Sequence, residues 1–403
     1  MTNDSICAAA FVHSHVSARY ERKLCCVAKP IEGMGKTTTE EYWNSQYLRD
    51  VRLKMLSGEK LTDCSFCYNY EGMGVTSFRQ VMNGMYSLDD IIDTVKQDGT
   101  LETPPSYYDY RTITCNLQCV TCDDNHSSKH AAIARELLGR NSENKVDLQY
   151  EKKLGHEIIS GLHAKTVDNI YWAGGEPMLM ATHWDVIFEM EKLLEDPEYT
   201  DYIKNIKMFY NTNMTKLYWK EHFIPAILSK FNVTLWASID GVAETFEYCR
   251  DGANWETVRE NWLVYKQHIP NTSVTAVLSA PVLMDIDRFM DFFEAHDGDM
   301  FNHQYEPNDY KNLLDIRLYP DYLFNSIIDH AIERIKKTHL DGKDSTLEIL
   351  EMYRKQKSDF SNPDYSEIKT QIQHRDKFLI NTKSFETLLQ QINEPTYNWY
   401  VGA

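Results

Sequence analysis

From residue 107 to about residue 320 the chain alternates short runs of β-branched and aromatic residues with longer stretches whose apolar positions recur at helical spacing. Residues 108–114, 169–173, 206–210, 233–239, 273–278 and 313–318 read as strands. Helical patterns follow at 131–138 and near 184–194, 219–228, 255–265 and 286–295. Strands that alternate with helices predict a parallel β/α architecture, in which chemistry gathers at the C-terminal ends of the strands. Upstream, residues 11–16 read as a short strand. Residues 40–56 carry Tyr42, Trp43, Leu48, Val51 and Leu56 at the spacing of one amphipathic helix, with Gly58 as its stop. A turn-rich linker ends at Thr103, Pro104, Pro105 and Ser106. Beyond residue 321 the pattern is helical, with charged faces and no chemistry of its own. The expected parts are therefore 1–103, 104–320 and 321–403.

Charge narrows the function. The 403 residues include 42 basic and 60 acidic side chains, a formal net charge of -18. Such a surface repels phosphate backbones, so duplex nucleic acid is excluded as a partner. No run of about twenty apolar residues predicts a membrane span. The N-terminal stretch lacks a basic region and a long apolar core, so it does not read as a signal peptide. A reducing cytoplasm is expected, where cysteines serve as metal ligands or catalysts more often than as disulfides. There are nine of them, and eight fall in the first third of the chain, a clustering that structural cysteines placed at random would not produce.

Two motifs lie at predicted strand ends. Cys115, Cys119 and Cys122 form a C-x3-C-x2-C loop after the first β/α strand. Three thiolates this close can hold three irons of a cubane cluster and leave the fourth open to a small ligand. A zinc site, with His126 as fourth ligand, is the alternative on spacing alone. Gly174, Gly175, Glu176 and Pro177 end the second strand. The glycines permit close backbone approach to a ligand, and the carboxylate can accept a charge-assisted hydrogen bond from an ammonium group. An ordinary strand-to-helix turn is the simpler reading of that run by itself.

Taken together and in this order, the two motifs resemble the radical S-adenosylmethionine (SAM) superfamily. The resemblance implies a partial (β/α)6 barrel of the TIM type and a [4Fe–4S] cluster on Cys115, Cys119 and Cys122. It further implies that SAM chelates the open iron, with its amino group held by Glu176 and the backbone of Gly174 and Gly175 beside Pro177. Ser238, Ile239, Asp240 and Gly241, with Arg250 after them, look like the run that contacts the SAM ribose and carboxylate in the SPASM/twitch group. Arginine's planar fork suits a carboxylate, although a surface ion pair of Arg250 with Glu247 or Asp251 is nearly as good a reading. Asn213, at the end of the third strand, resembles the family's polar strand-end element near SAM. One residue departs from the pattern: Thr121 stands before the last cysteine, where the superfamily has an aromatic residue near the adenine.

The N-terminal cysteines Cys7, Cys25, Cys64 and Cys67 resemble the twitch module, which holds an auxiliary iron–sulfur cluster. Cys26 could take the place of Cys25, and a zinc knuckle on the same four residues is the alternative. Three other features read as empty. Gly33 to Thr37 lacks the first glycine of a phosphate loop, where Pro30 stands. His13 and His15 read as structural residues of a strand, and Cys249 as a packed thiol. The resemblance further implies an external reductant such as flavodoxin or ferredoxin, and a peptide or protein substrate. A small metabolite is the second substrate class, and a non-catalytic, zinc-stabilised binding protein is the competing function.

Overall fold

A computed structural model describes residues 4–139, 145–296, 298, 313–360, 363–381 and 383–402. The fold is mixed α/β and divides into two compact units, each assembled from several stretches of chain. No helix among the described residues is long and apolar enough to cross a membrane.

The first unit comprises Met1–Ile113, Val146–Tyr210 and Ile227–Val233. Its sheet is built from β1 (His13–Val16), β2 (Glu21–Lys23), β3 (Pro30–Gly35), β4 (Tyr107–Thr112), β5 (Asn169–Gly174) and β6 (Lys207–Thr212). β1, β2 and β3 form an antiparallel meander. On its other edge β1 pairs in parallel with β4, with His13 opposite Tyr107 and His15 opposite Asp109. β4, β5 and β6 continue in parallel register, Tyr110 opposite Trp172 and Trp172 opposite Tyr210. One face of these three strands is core throughout, with Tyr108, Tyr110, Ile170, Trp172, Met208 and Tyr210 buried.

The helix expected over 40–56 is two helices, Thr39–Trp43 and Gln46–Leu56. Thr38 and Glu41 close a capping box on the first, and Ser45 caps the second by accepting from the Leu48 amide at 3.4 Å. The break turns Trp43 and Arg52 toward each other. The buried Arg52 donates to the carbonyls of Ala10, Gly99 and Trp43, so a charge inside an apolar core has its hydrogen bonds met. Helical spacing does identify the buried face, since Tyr42, Trp43, Leu48 and Val51 are buried.

The second unit comprises Thr114–Lys145, Asn211–Ala226 and Thr234–Ala403. It holds a short hairpin of β7 (Tyr218–Trp219) and β8 (His222–Phe223), in a stretch expected to be wholly helical. β9 (Asn232–Ser238) begins in the first unit and runs into the second, where it pairs in parallel with β10 (Thr272–Thr275), Ser238 opposite Thr275. Helices at Ala243–Cys249, Trp255–His268, Ile286–Glu294 and Asp321–Lys336 follow, and the chain closes with further helices to Val401.

The sixth expected strand, 313–318, does not form. Its last residues, Ile316–Leu318, make a single 3-10 turn. Asp315 accepts from the Arg317 amide at 2.9 Å and also grips the Arg317 guanidinium, and both side chains are buried. A local side-chain bond of this kind competes with ladder pairing. The polar residues within the expected strand form a buried ion pair instead.

Candidate functional site

The cysteine loop lies in the second unit, just past the end of β4 in sequence, and is tied down on every side within that unit. The Gln118 amide donates to the Asp251 carbonyl at 2.9 Å and the Val120 amide to the Cys249 carbonyl at 3.0 Å. Asn116, Asn213 and Thr215 form a closed ring: Asn213 Nδ2 donates to Asn116 Oδ1, Asn116 Nδ2 to Thr215 Oγ1, and Thr215 Oγ1 to Asn213 Oδ1. Gly252 lies against Asn116 and Leu117, with the tip of Ile380 also beside it. The loop is thus preformed by hydrogen bonds, the condition a fixed ligand set needs.

Cys119 is buried, and Cys115 and Cys122 are half-buried. Burial pushes the Cys119 and Cys122 thiols up, and Cys122 also feels the charges of Cys119 and Cys115, so the three thiols share one neighbourhood. The Leu117 amide donates to Cys115 Sγ at 3.5 Å, a further bond that fixes the loop. His126, the candidate fourth zinc ligand, is exposed and turns its Nδ1 to Asp123 Oδ1 at 2.9 Å.

Arg250 follows the helix Ala243–Cys249 and adopts neither surface pair expected for it. Its Nε lies 2.7 Å from Oδ2 of the fully buried Asp240, at an angle that makes it an ion pair rather than a hydrogen bond. Its Nη1 lies 3.8 Å from Cys119 Sγ. Glu247 instead pairs with Lys383 at 2.9 Å, and Asp251 accepts the amides of Ile380 and Asn381. Asp240 is further fixed by the Val277 amide at 2.8 Å. Ser238 stands half-buried at the end of β9. Asn213, expected near SAM, commits its side chain to the ring that braces the cysteine loop.

In the first unit, Gly174 ends β5 with φ +114°, and a Cβ there would sit 2.4 Å from the Thr112 carbonyl oxygen. The Gly175 amide donates to that same oxygen at 2.6 Å. Only glycine lets the strand end close on β4 in this way. Glu176 is fully buried and caps the 3-10 turn Pro177–Leu179, accepting from the Met178 amide at 3.1 Å. A buried carboxylate at a strand end thus serves that turn.

The N-terminal thiols of Cys7, Cys25, Cys64 and Cys67 are all buried, also in the first unit. Burial raises every one of them, Cys7 to about 12 and Cys64 to about 11. Cys7 feels Cys64 and Cys67, and Cys25 feels Cys7 and Cys67, so the four converge. Backbone amides of Ala9 and Val27, each two residues on, serve the Cys7 and Cys25 sulfurs. The Arg79 amide and Ser77 hydroxyl serve Cys67. Cys26 acts on Arg111, Tyr107 and Tyr171, and Lys23 feels both Cys25 and Cys26.

Among the described residues, no three cysteine sulfurs lie within 4.8 Å of one another; the trio that does meet that spacing is His13, His15 and Asp109. All three are buried, with His15 Nδ1 2.9 Å and His13 Nε2 3.8 Å from Asp109 Oδ2. Arg111 also forks that carboxylate at 3.0 and 3.1 Å. Burial would raise Asp109, but Arg111 and His15 outweigh it and hold the carboxyl well below its usual range. Burial lowers His13 to about 4, so its ring is neutral at pH 7. With the Asp109 charge already balanced by Arg111, a dication here would leave a buried excess of positive charge. The group reads as a structural polar knot between β1 and β4, as expected for the two histidines.

Sequence reasoning missed Asp240 as the anchor of Arg250 and the C-terminal segment as part of the loop's support. Gln118 Nε2 donates to the Phe378 carbonyl at 2.7 Å, and Asn381 Nδ2 to the carbonyls of Glu247 and Ala253. The sequence carried a signal for the first alone, an acidic residue placed between Ile239 and Gly241 at a strand end.

No protein-family model matches the sequence. No curated protein matches it either. Solved structures do align. Native anSMEcpe with bound AdoMet has 14% identity and a TM-score of 0.41, over 57% of this chain and 60% of that one. Streptococcus suis SuiB bound to precursor peptide SuiA has 15% identity and a TM-score of 0.39, over 72% of this chain and 63% of that one. TYW1 with a lysine-pyruvate adduct has 14% identity and a TM-score of 0.33, over 57% of this chain and 72% of that one. The chain thus spans less than two thirds of the length of anSMEcpe and SuiB.

Proposed function

We propose that the protein is a radical SAM enzyme of the SPASM/twitch type. In this reading an iron–sulfur module (1–103) leads into a partial β/α barrel (104–320), and a helical extension (321–403) follows. The observation that carries the reading is the pair of strand ends. A braced C-x3-C-x2-C loop follows β4, and Gly174-Gly175-Glu176-Pro177 closes β5 with a glycine whose φ of +114° and close approach to Thr112 disfavour any side chain.

Bound at this loop, a [4Fe–4S] cluster would supply the electron for reductive cleavage of SAM and so radical activation of a substrate C–H bond. Cys115, Cys119 and Cys122 hold the cluster. Glu176 accepts the SAM ammonium through its carboxylate, and the carbonyls of the glycine turn offer further acceptors. Ser238 faces the SAM ribose, as the matching run does in the resembling group. Cys7, Cys25, Cys64 and Cys67 hold an auxiliary cluster that passes electrons or helps hold the substrate. The substrate is a peptide or protein, and electrons come from a flavodoxin or ferredoxin.

Anaerobic reconstitution tests the reading. Iron and sulfide should reach about eight per chain, and dithionite with SAM should yield 5′-deoxyadenosine. About four irons with cleavage would leave the enzyme without its auxiliary cluster. Iron without cleavage would overturn the proposal. A Glu176→Ala change should keep the iron content and weaken SAM binding by about 10-fold or more, the loss of one buried charge-assisted hydrogen bond. Calorimetric titration with SAM checks it, and unchanged affinity would remove Glu176 from the pocket.

A further inference from the structure

The geometry points to a different task for Arg250: we infer that it is a positioning residue for the cluster, donating from Nη1 to the Cys119 sulfur and raising the cluster's reduction potential. The inference rests on the cluster reading of Cys115, Cys119 and Cys122. Three observations within the second unit carry it. Arg250 Nη1 is 3.8 Å from Cys119 Sγ, within hydrogen-bond reach for sulfur. The guanidinium is aimed by the fully buried Asp240, whose other oxygen is held by the Val277 amide, so it is fixed from behind. The backbones are also bonded, Val120 to Cys249 and Gln118 to Asp251, so the cysteine loop and the arginine move as one piece.

A hydrogen bond to a ligand sulfur stabilises the more negative, reduced cluster and raises its potential. Positive charge at Arg250 acts in the same direction. The site has a use for this, because SAM cleavage begins only after the cluster accepts an electron. In this account Arg250 leaves the SAM carboxylate to other groups, and its loss should register on the electron before it registers on SAM.

The test is a potentiometric titration without SAM on reconstituted full-length protein, followed by electron paramagnetic resonance. A Cys119→Ala sample supplies the signal of the N-terminal cluster for subtraction. Arg250→Gln should shift the midpoint of the loop cluster to a more negative value, with the KM for SAM unchanged and the cleavage rate reduced under a weak reductant. Arg250→Lys keeps a positive charge for Asp240 and protects the fold, and should show a smaller shift in the same direction. An unshifted midpoint in a variant that holds its iron would overturn the inference, as would a raised KM for SAM with the midpoint in place. Absence of any cluster from the unaltered protein would instead defeat the underlying reading.

Discussion

Cys119→Ala should bring SAM cleavage down to background while leaving about four irons per chain on the N-terminal cysteines. Cys119 is the buried member of its trio, and the Arg250 guanidinium is directed at its sulfur. A cluster that loses this ligand loses its most buried residue. Changes one step removed from a metal cost roughly 10- to 100-fold in affinity or activity, so removing a ligand itself should exceed that range. The fold should survive, because the loop is braced by backbone and amide bonds that do not involve the thiol. Iron analysis, the visible spectrum and 5′-deoxyadenosine formation together decide it. Retained cleavage would sink the assignment of the catalytic cluster. Loss of all iron with unchanged circular dichroism would place the N-terminal cysteines outside iron binding.

Gly174→Ala should be among the most destabilising single changes in the first unit, at roughly 3–5 kcal/mol. The positive φ contributes about 1–3 kcal/mol of strain. The rest comes from a Cβ placed 2.4 Å from the Thr112 oxygen and 2.6 Å from the Thr112 nitrogen. Both are backbone atoms of the paired strand, so neither can swing aside. Gly33 is the control: its φ is +74°, but a Cβ there meets nothing within 4 Å. Gly33→Ala should show only the conformational part. Thermal unfolding of the two variants separates the terms, at about 2–4 °C per kcal/mol for a unit of this size. Equal losses would mean that the close approach of β5 to β4 contributes nothing.

Much of the fold follows from local pattern. Five of the six expected β/α strands form, because alternating or continuous apolar runs bounded by turn residues have few other ways to bury themselves. The sixth fails because Asp315 and Arg317 satisfy each other inside the core, and spacing alone cannot tell a buried ion pair from a solvent-facing alternation. The long N-terminal helix breaks at Asn44 and Ser45 for a related reason. Helical periodicity survives a two-residue interruption, and the break is written in a cap, Ser45 on Leu48, and in the needs of a buried Arg52.

The candidate site divides the same way. Residue type and spacing by themselves determined the chemistry on offer: three thiols in one loop, a glycine pair before a carboxylate, and a second set of thiols upstream. Those are short-range facts, settled within a few residues of chain. Only the tertiary structure decided which neighbour each group answers to. Arg250 turns from its sequence neighbours Glu247 and Asp251 to Asp240 and Cys119, since burial leaves a guanidinium no choice but the nearest unpaired carboxylate. Asn213 goes to the cysteine loop, and the helical tail, silent as sequence, donates and accepts the bonds that hold that loop through Gln118 and Asp251. Partners separated by more than a hundred residues are chosen by packing and desolvation, and those act only once the chain has closed on itself.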